Sequence, residues 1–422
     1  MDIPAQRWRH IIPVAFIMYT IAFVDRTNIS LALPSMSRDL HMDPTQAGSA
    51  AGVFFWGYMA LQIPGGYLAE HWSAKRFIGI LLVLWGLAAV VCGLVRTRQE
   101  FWVMRLVLGI AEGGVWPATL VLLAHWFPRS ERARANAYWM LCMPAAVVVS
   151  SPVSGWILGR WGWRVMLISE GILPFVWLVF WMTMIDDQPH EARWISDGER
   201  NYLEETLHHQ SAELEPLNPA RFLETLLRPQ VLLLVLIYLL LNTGSYGFLF
   251  WLPSALHSEK HLSDFVTGIL FAIPFVVTGI GMVLISRHSD RKHERRGHVA
   301  GSLVWAGVFL LAGVLLSQHS FLLSFLCITV VGAGSVGALG PFWAIPSETL
   351  PRSVSGSAMG LINALGCLGG YFGPLLVGYL NNLTGNFVYG FAALGAGFIA
   401  AAGLTLFLRT SRKVAPEAGI ET

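Results

Sequence analysis

The feature that most constrains this chain is a recurrence of apolar stretches, each about 20 residues long, from Ile11 almost to the C-terminus. A run of that length crosses ~30 Å of hydrocarbon as a helix, and within lipid only helices and closed barrels satisfy their own backbone. Twelve spans are predicted, beginning near Ile11, Ala47, Arg76, Glu100, Ala135 and Trp163, then near Gln230, Ser263, Val299, Ser320, Ser355 and Phe387. Only 13% of the 422 residues are charged and 55% are hydrophobic, whereas about a quarter are charged in an ordinary soluble domain. The expected fold class is an all-α membrane protein. The first span follows a short basic leader without a small-residue cleavage site, so it is expected to be retained rather than removed as a signal peptide.

Charge placement predicts topology. With the N-terminus inside, the loops on that side and both termini hold about 20 of the 28 Lys and Arg residues. Arg38, Arg96, Arg98, Arg160, Arg164 and Lys260 fall outside, and Arg26 and Arg105 remain within spans. By the positive-inside rule both termini are cytoplasmic. Cys92, Cys142, Cys327 and Cys367 lie singly in apolar runs with no metal or redox spacing, as packing residues do.

The chain divides in two. Residues 1–185 and 229–422 each hold six spans, and the only long polar segment, 186–228, reads as a cytoplasmic linker. Within it Ser196 and Glu199 have capping-box spacing, and the run to His209 reads as a surface helix. The halves match at a register of about 220 residues. Glu70, Lys75 and Arg76 answer to Asp290, Arg291 and Lys292; FPRS at 127–130 answers to LPRS at 350–353; Pro152 and Gly155 answer to Pro374 and Gly378. Two pseudo-symmetric six-helix bundles with a site between them, opened alternately to each side, are the architecture such a duplication builds.

The stretch IAFVDRTNIS, residues 21–30, sets Asp25 and Arg26 deep in the first span. Ionisable groups at such depth cost at least ~2.5 kcal/mol each, so they face a protein interior or a wet cavity. The fourth span carries Arg105 and Glu112 seven residues apart, hence on one face about 10 Å apart, with Trp116 continuing that face. Counting rise per residue puts Asp25 between Arg105 and Glu112 in depth, so the four groups can meet if spans 1 and 4 are neighbours. The second half has almost no charge within its spans and offers Tyr238, Asn242, Tyr246, Trp343, Ser347 and Asn363 for hydrogen bonding and stacking.

Several of these motifs resemble the major facilitator superfamily. GYLAEHWSAKR, residues 66–76, is similar to its signature between helices 2 and 3, with Glu70 and Ser73 where Asp and Gly are commoner. FVDRTNIS, RLVLGIAEGGVWP from Arg105, YGFLFWLP from Tyr246 and RHSDRKHERRGH from Arg287 resemble the anion:cation symporter family, and within it bacterial permeases for tartrate and hydroxyphenylacetate. The resemblance implies proton coupling at Asp25 and Glu112, with Arg26 and Arg105 partnering them or the anion. It further implies substrate contacts at Tyr58, Trp343 and Asn363, and gate roles for Glu70, Lys75, Arg76, Asp290 and Arg291 across the cytoplasmic face.

The expected function is proton-coupled import of a small organic carboxylate: a hydroxy acid, a sugar acid or a hydroxyaromatic acid. The alternative is an exporter or antiporter of anions or drugs on the same fold. Importing a dianion against 100 mV costs roughly 4.6 kcal/mol, which two protons cancel. No nucleophile and base spacing, metal motif or nucleotide loop is visible, so no enzyme, cofactor, metal or nucleic-acid partner is expected. The substrate anion, protons and the lipid of a bacterial inner membrane are the expected partners of a monomer.

Overall fold

The computed structural model describes residues 5–212, 228–260, 262–350 and 352–408. Every regular element among them is helical. In chain order these are α1 (Gln6–Asp39), α2 (Pro44–Gly52), α3 (Phe54–Ala60), α4 (Gln62–Leu68), α5 (Ala74–Leu94), α6 (Arg98–Gly113), α7 (Val115–Trp126), α8 (Arg129–Met140), α9 (Cys142–Gly171), α10 (Leu173–Met184) and α11 (Asp197–Ala212). The second half follows with α12 (Pro229–Lys260), α13 (Asp264–Lys292), α14 (Arg296–Ser317), α15 (Phe321–Thr329), α16 (Val331–Ser335), α17 (Leu339–Thr349), α18 (Arg352–Gly366), α19 (Gly369–Thr384) and α20 (Val388–Thr405).

Ten stretches among the described residues are long and apolar enough to cross a membrane. Two of these join neighbouring crossings. Arg129–Met184 runs for 56 residues and reverses at Gly162, whose φ of 81° suits a residue without a Cβ. Gln62–Leu94 turns at Ser73, where the backbone is extended and the hydroxyl caps Arg76 N. With α2–α4 taken as one crossing and α5 as the next, the path makes twelve, as the apolar pattern predicts.

Local chemistry starts the crossings where the apolar runs begin. Asp43 and Gln46 form a capping box ahead of α2, and Thr97 and Glu100 form another ahead of α6. Each satisfies amides that a helix start leaves without partners. Ser263 and Ser320 cap α13 and α15 through their hydroxyls alone, accepting from Val266 N and Leu323 N.

The face opposite the termini is closed by backbone contact between the halves. A Cβ on Gly48 would stand 2.3 Å from Pro374 O, and one on Gly155 would stand 2.5 Å from Asp264 O. Small residues let helix backbones approach this closely, which is how helices associate where water supplies no drive.

On the face bearing the termini, the described part of the linker lies against the first half. Glu199 does not complete its capping box. Its amide bonds Ser196 Oγ, but its carboxylate accepts from Arg7 Nη1 at 2.5 Å and from Gln6 N at 3.0 Å, while Ser196 N donates to Gln6 Oε1. An unsatisfied helix start and a buried guanidinium compete for the carboxylate and win. Trp194 stacks on Trp126 and on His10. Of the paired polar motifs, LPRS lies partly outside the described residues, as does the linker from 213 to 227.

Candidate functional site

Successive helix residues point 100° apart, so Asp25 and Arg26 serve different neighbours. Arg26 Nη2 donates to Glu112 Oε2 at 3.2 Å, with both side chains buried. Asp25 turns to the third crossing, where Oδ2 accepts from Trp85 Nε1 at 2.6 Å. No arginine reaches it within salt-bridge distance among the described residues. The expected four-group network is therefore two arrangements rather than one. Asp25 and Arg105 meet across a cavity also lined by Asn28, Ala89, Cys92, Phe101 and Leu108. Its accessible volume of about 10 Å³ is room for roughly one water.

The first-half aromatics form a cage for the Arg26 guanidinium. Its carbon lies 4.5 Å from the centre of the Tyr58 ring, 5.2 Å from Phe54 and 5.9 Å from Tyr19. Tyr19 and Tyr58 hydroxyls are 3.4 Å apart. Cation–π attraction holds an unpaired guanidinium at modest cost, so Arg26 has somewhere to stay when Glu112 is not its partner. Arg105 sits over Phe54 at 5.0 Å and donates from Nη2 to Ala51 O at 3.3 Å.

This meeting of the second and fourth crossings depends on glycine. A Cβ on Gly113 would stand 2.4 Å from Tyr58 O, so the backbones touch where Glu112 and Tyr58 flank the pair. Glu170, a third buried carboxylate, accepts from Asn28 Nδ2 at 2.8 Å and Ser154 Oγ at 2.5 Å, tying the first, fifth and sixth crossings. Trp116 is half-buried and packs on Tyr19 and Trp139, so the face it extends reaches the same aromatic group.

From the second half, Tyr246 packs against Phe55 with ring centres 4.4 Å apart, directly across the junction of the bundles. Trp343 meets Tyr238 edge to face at 5.0 Å. Asn363 Nδ2 donates to Gln62 Oε1 at 2.7 Å and so joins the halves by a side-chain hydrogen bond. Asn242 uses its amide hydrogens on Gly366 O, 3.1 Å away, and is buried between the seventh and eleventh crossings.

Of the residues read as gates, Glu70 and Asp290 pair within their own halves and Lys75 pairs with the start of the linker. Glu70 lies 3.9 Å from His125, Lys75 lies 3.5 Å from Asp186, and Asp290 lies 2.5 Å from Arg295. Arg76 N bonds Ser73 Oγ, and Arg291 is exposed. Among the described residues no three His, Cys, Asp or Glu side chains are grouped to hold a metal ion.

Sequence reasoning missed Trp85 and Gln62. Nothing distinguishes Trp85 among 17 tryptophans. A signal existed for Gln62: a lone amide in the apolar run of the second span, one turn after Tyr58.

Comparison with known proteins places this geometry. The family model described as Major Facilitator Superfamily matches residues 15–374. A candidate tartrate transporter of Agrobacterium vitis is 31% identical over 415 residues, covering 96% of this chain and 91% of the relative. A quinolone resistance transporter of Acinetobacter baumannii is 29% identical, covering 90% of this chain and 88% of that one. Among solved structures, the inward open conformation of the xylose transporter XylE from E. coli superposes with a TM-score of 0.77 at 16% identity, over 96% of this chain and 97% of that one, which is a likeness of fold. With its twelve crossings, duplicated halves and charges buried among the helices of the first half, this chain belongs to the Major Facilitator Superfamily and is a membrane transporter.

Proposed function

We infer that the protein imports a small organic carboxylate together with protons. The observation that carries this reading is the buried bond between Arg26 and Glu112 beside the rings of Tyr58, Phe54 and Tyr19. A guanidinium held by a carboxylate cannot also hold a substrate carboxylate at full strength. A proton arriving on Glu112 removes its claim, and Arg26 then offers its fork to the anion. Release of the anion on the other side lets Arg26 return, and the proton leaves. Asp25 carries a second proton, with Arg105 across the water-sized cavity as the cation that responds to it. The tartrate-transporter relative supports a hydroxylated acid as cargo.

Alternating access supplies the path. The contacts at Gly48 and Gly155 close the face away from the termini, and closing the other face requires Glu70, Lys75, Arg76, Asp290 and Arg291 to exchange their present partners for partners in the opposite half. The basic loops favour a cytoplasmic location for the termini, in a bacterial inner membrane. A monomer is sufficient, because both halves of the site come from one chain.

The test is transport by the purified protein in liposomes. Wild type accumulates a hydroxylated carboxylate when the outside is acidic, with uptake of protons. Glu112→Gln exchanges external for internal substrate but does not accumulate it. Accumulation by Glu112→Gln equal to wild type overturns the coupling role. The quinolone-resistance relative favours a second reading, proton-driven export. Whole-cell measurements separate the two, since an uncoupler lowers cell content for an importer and raises it for an exporter.

A further inference from the structure

Gln62 is buried and has two partners that differ in what they can accept. Its Nε2 donates to Gly113 O at 2.8 Å, and its Oε1 accepts from Asn363 Nδ2 at 2.7 Å. A backbone carbonyl only accepts, so the nitrogen of Gln62 must face Gly113 and the oxygen must face Asn363. Asn363 must in turn present its nitrogen to Gln62, which leaves its Oδ1 directed elsewhere. The contacts on that oxygen are long: Tyr238 OH at 3.5 Å and Cys367 Sγ at 3.6 Å. Both donors are weak, one by distance and one as a thiol, so a substrate hydroxyl at ordinary distance would displace one of them from the amide oxygen.

We propose that Gln62 is a positioning residue for substrate selection: by fixing the polarity of the Asn363 amide, it makes the second half offer an acceptor to a substrate hydroxyl. Gln62 lies four residues after Tyr58, whose ring centre is 4.5 Å from the Arg26 guanidinium, and Asn363 meets the second crossing at Gln62, so the anion-binding end and the acceptor stand at neighbouring turns of that crossing. That spacing suits an acid with a carboxylate at one end and a hydroxyl a few atoms away. A site built to accept a hydrogen bond discriminates against an analogue without the hydroxyl, because its oxygen then keeps only these two weak donors. The inference rests on the organic-anion reading above and adds which atom enforces hydroxylation.

The experiment measures KM and kcat in liposomes for two matched pairs: 2,3-dihydroxysuccinate against succinate, and 4-hydroxyphenylacetate against phenylacetate. In wild type the hydroxylated member of at least one pair has a KM at least about tenfold lower, the worth of one hydrogen bond. Gln62→Met keeps the size and removes both bonds; the preference collapses toward unity through KM, while the unhydroxylated acid is little changed. Gln62→Glu still accepts from Asn363 Nδ2 and keeps the preference, which a merely structural role would not predict. A wild-type protein that carries acids of both kinds equally, or a Gln62→Met protein that folds and keeps its preference, overturns the proposal. If wild type takes none of the four acids and no sugar acid, the organic-anion reading fails and this inference fails with it.

Discussion

Arg26 and Glu112 lie 3.2 Å apart across the first and fourth crossings, while Asp25, one residue earlier, is bonded to Trp85 on the third. Adjacent residues on one helix thus answer to different neighbours. The fourth crossing carries the carboxylate bonded to Arg26, and the third carries the indole bonded to Asp25.

Replacement of Arg26 by Lys is expected to raise KM for the carboxylate substrate roughly 10- to 100-fold, the worth of one charge-assisted hydrogen bond of ~1.5–3 kcal/mol. The charge survives but the planar fork does not, and the ring contacts with Tyr58 and Phe54 are weakened. Liposome uptake over a range of substrate concentrations checks this; an unchanged KM would remove Arg26 from substrate binding.

Trp85→Phe leaves the Asp25 carboxylate without its indole donor. Proton-driven accumulation should fall by about tenfold, corresponding to ~1.4 kcal/mol for one lost bond to a charged group, with exchange across the membrane still measurable. Accumulation and exchange assayed on the same vesicles separate coupling from folding.

Gly48→Leu should hold open the face away from the termini, since even a Cβ there would stand 2.3 Å from Pro374 O. Substrate transport should be lost. A cysteine introduced at nearby Gln46 should react faster with an impermeant thiol reagent added from that side. Equal labelling rates with and without the leucine would show that this contact does not close the path.

Glu199→Ala removes the carboxylate that pairs with buried Arg7, which also bonds Glu131 Oε2 at 2.8 Å. Breaking a buried pair from one side costs about 3 kcal/mol or more, and an apolar replacement of both partners costs less. The thermal midpoint in detergent should therefore drop more for Glu199→Ala than for the double variant Arg7→Met/Glu199→Leu. The opposite order would mean that the linker helix is not braced by this bond.

The one-dimensional pattern settled what hydrophobic length and repetition can settle: twelve crossings in two halves and the spans that hold buried charge. Each of these follows from the cost of leaving backbone or charge in lipid, a cost that depends on the residue and not on its neighbours. It also singled out Asp25, Arg26, Arg105 and Glu112, all of which the fold buries between the helices of the first half. Pairing was decided elsewhere. Whether Arg26 faces Glu112 or Asp25, and whether Gln62 spans to Asn363, depends on helix rotation and on backbone contact at positions such as Gly113, where fractions of an ångström between distant segments select one partner. Such contacts carry no periodicity along the chain, so only the packed bundle could specify them.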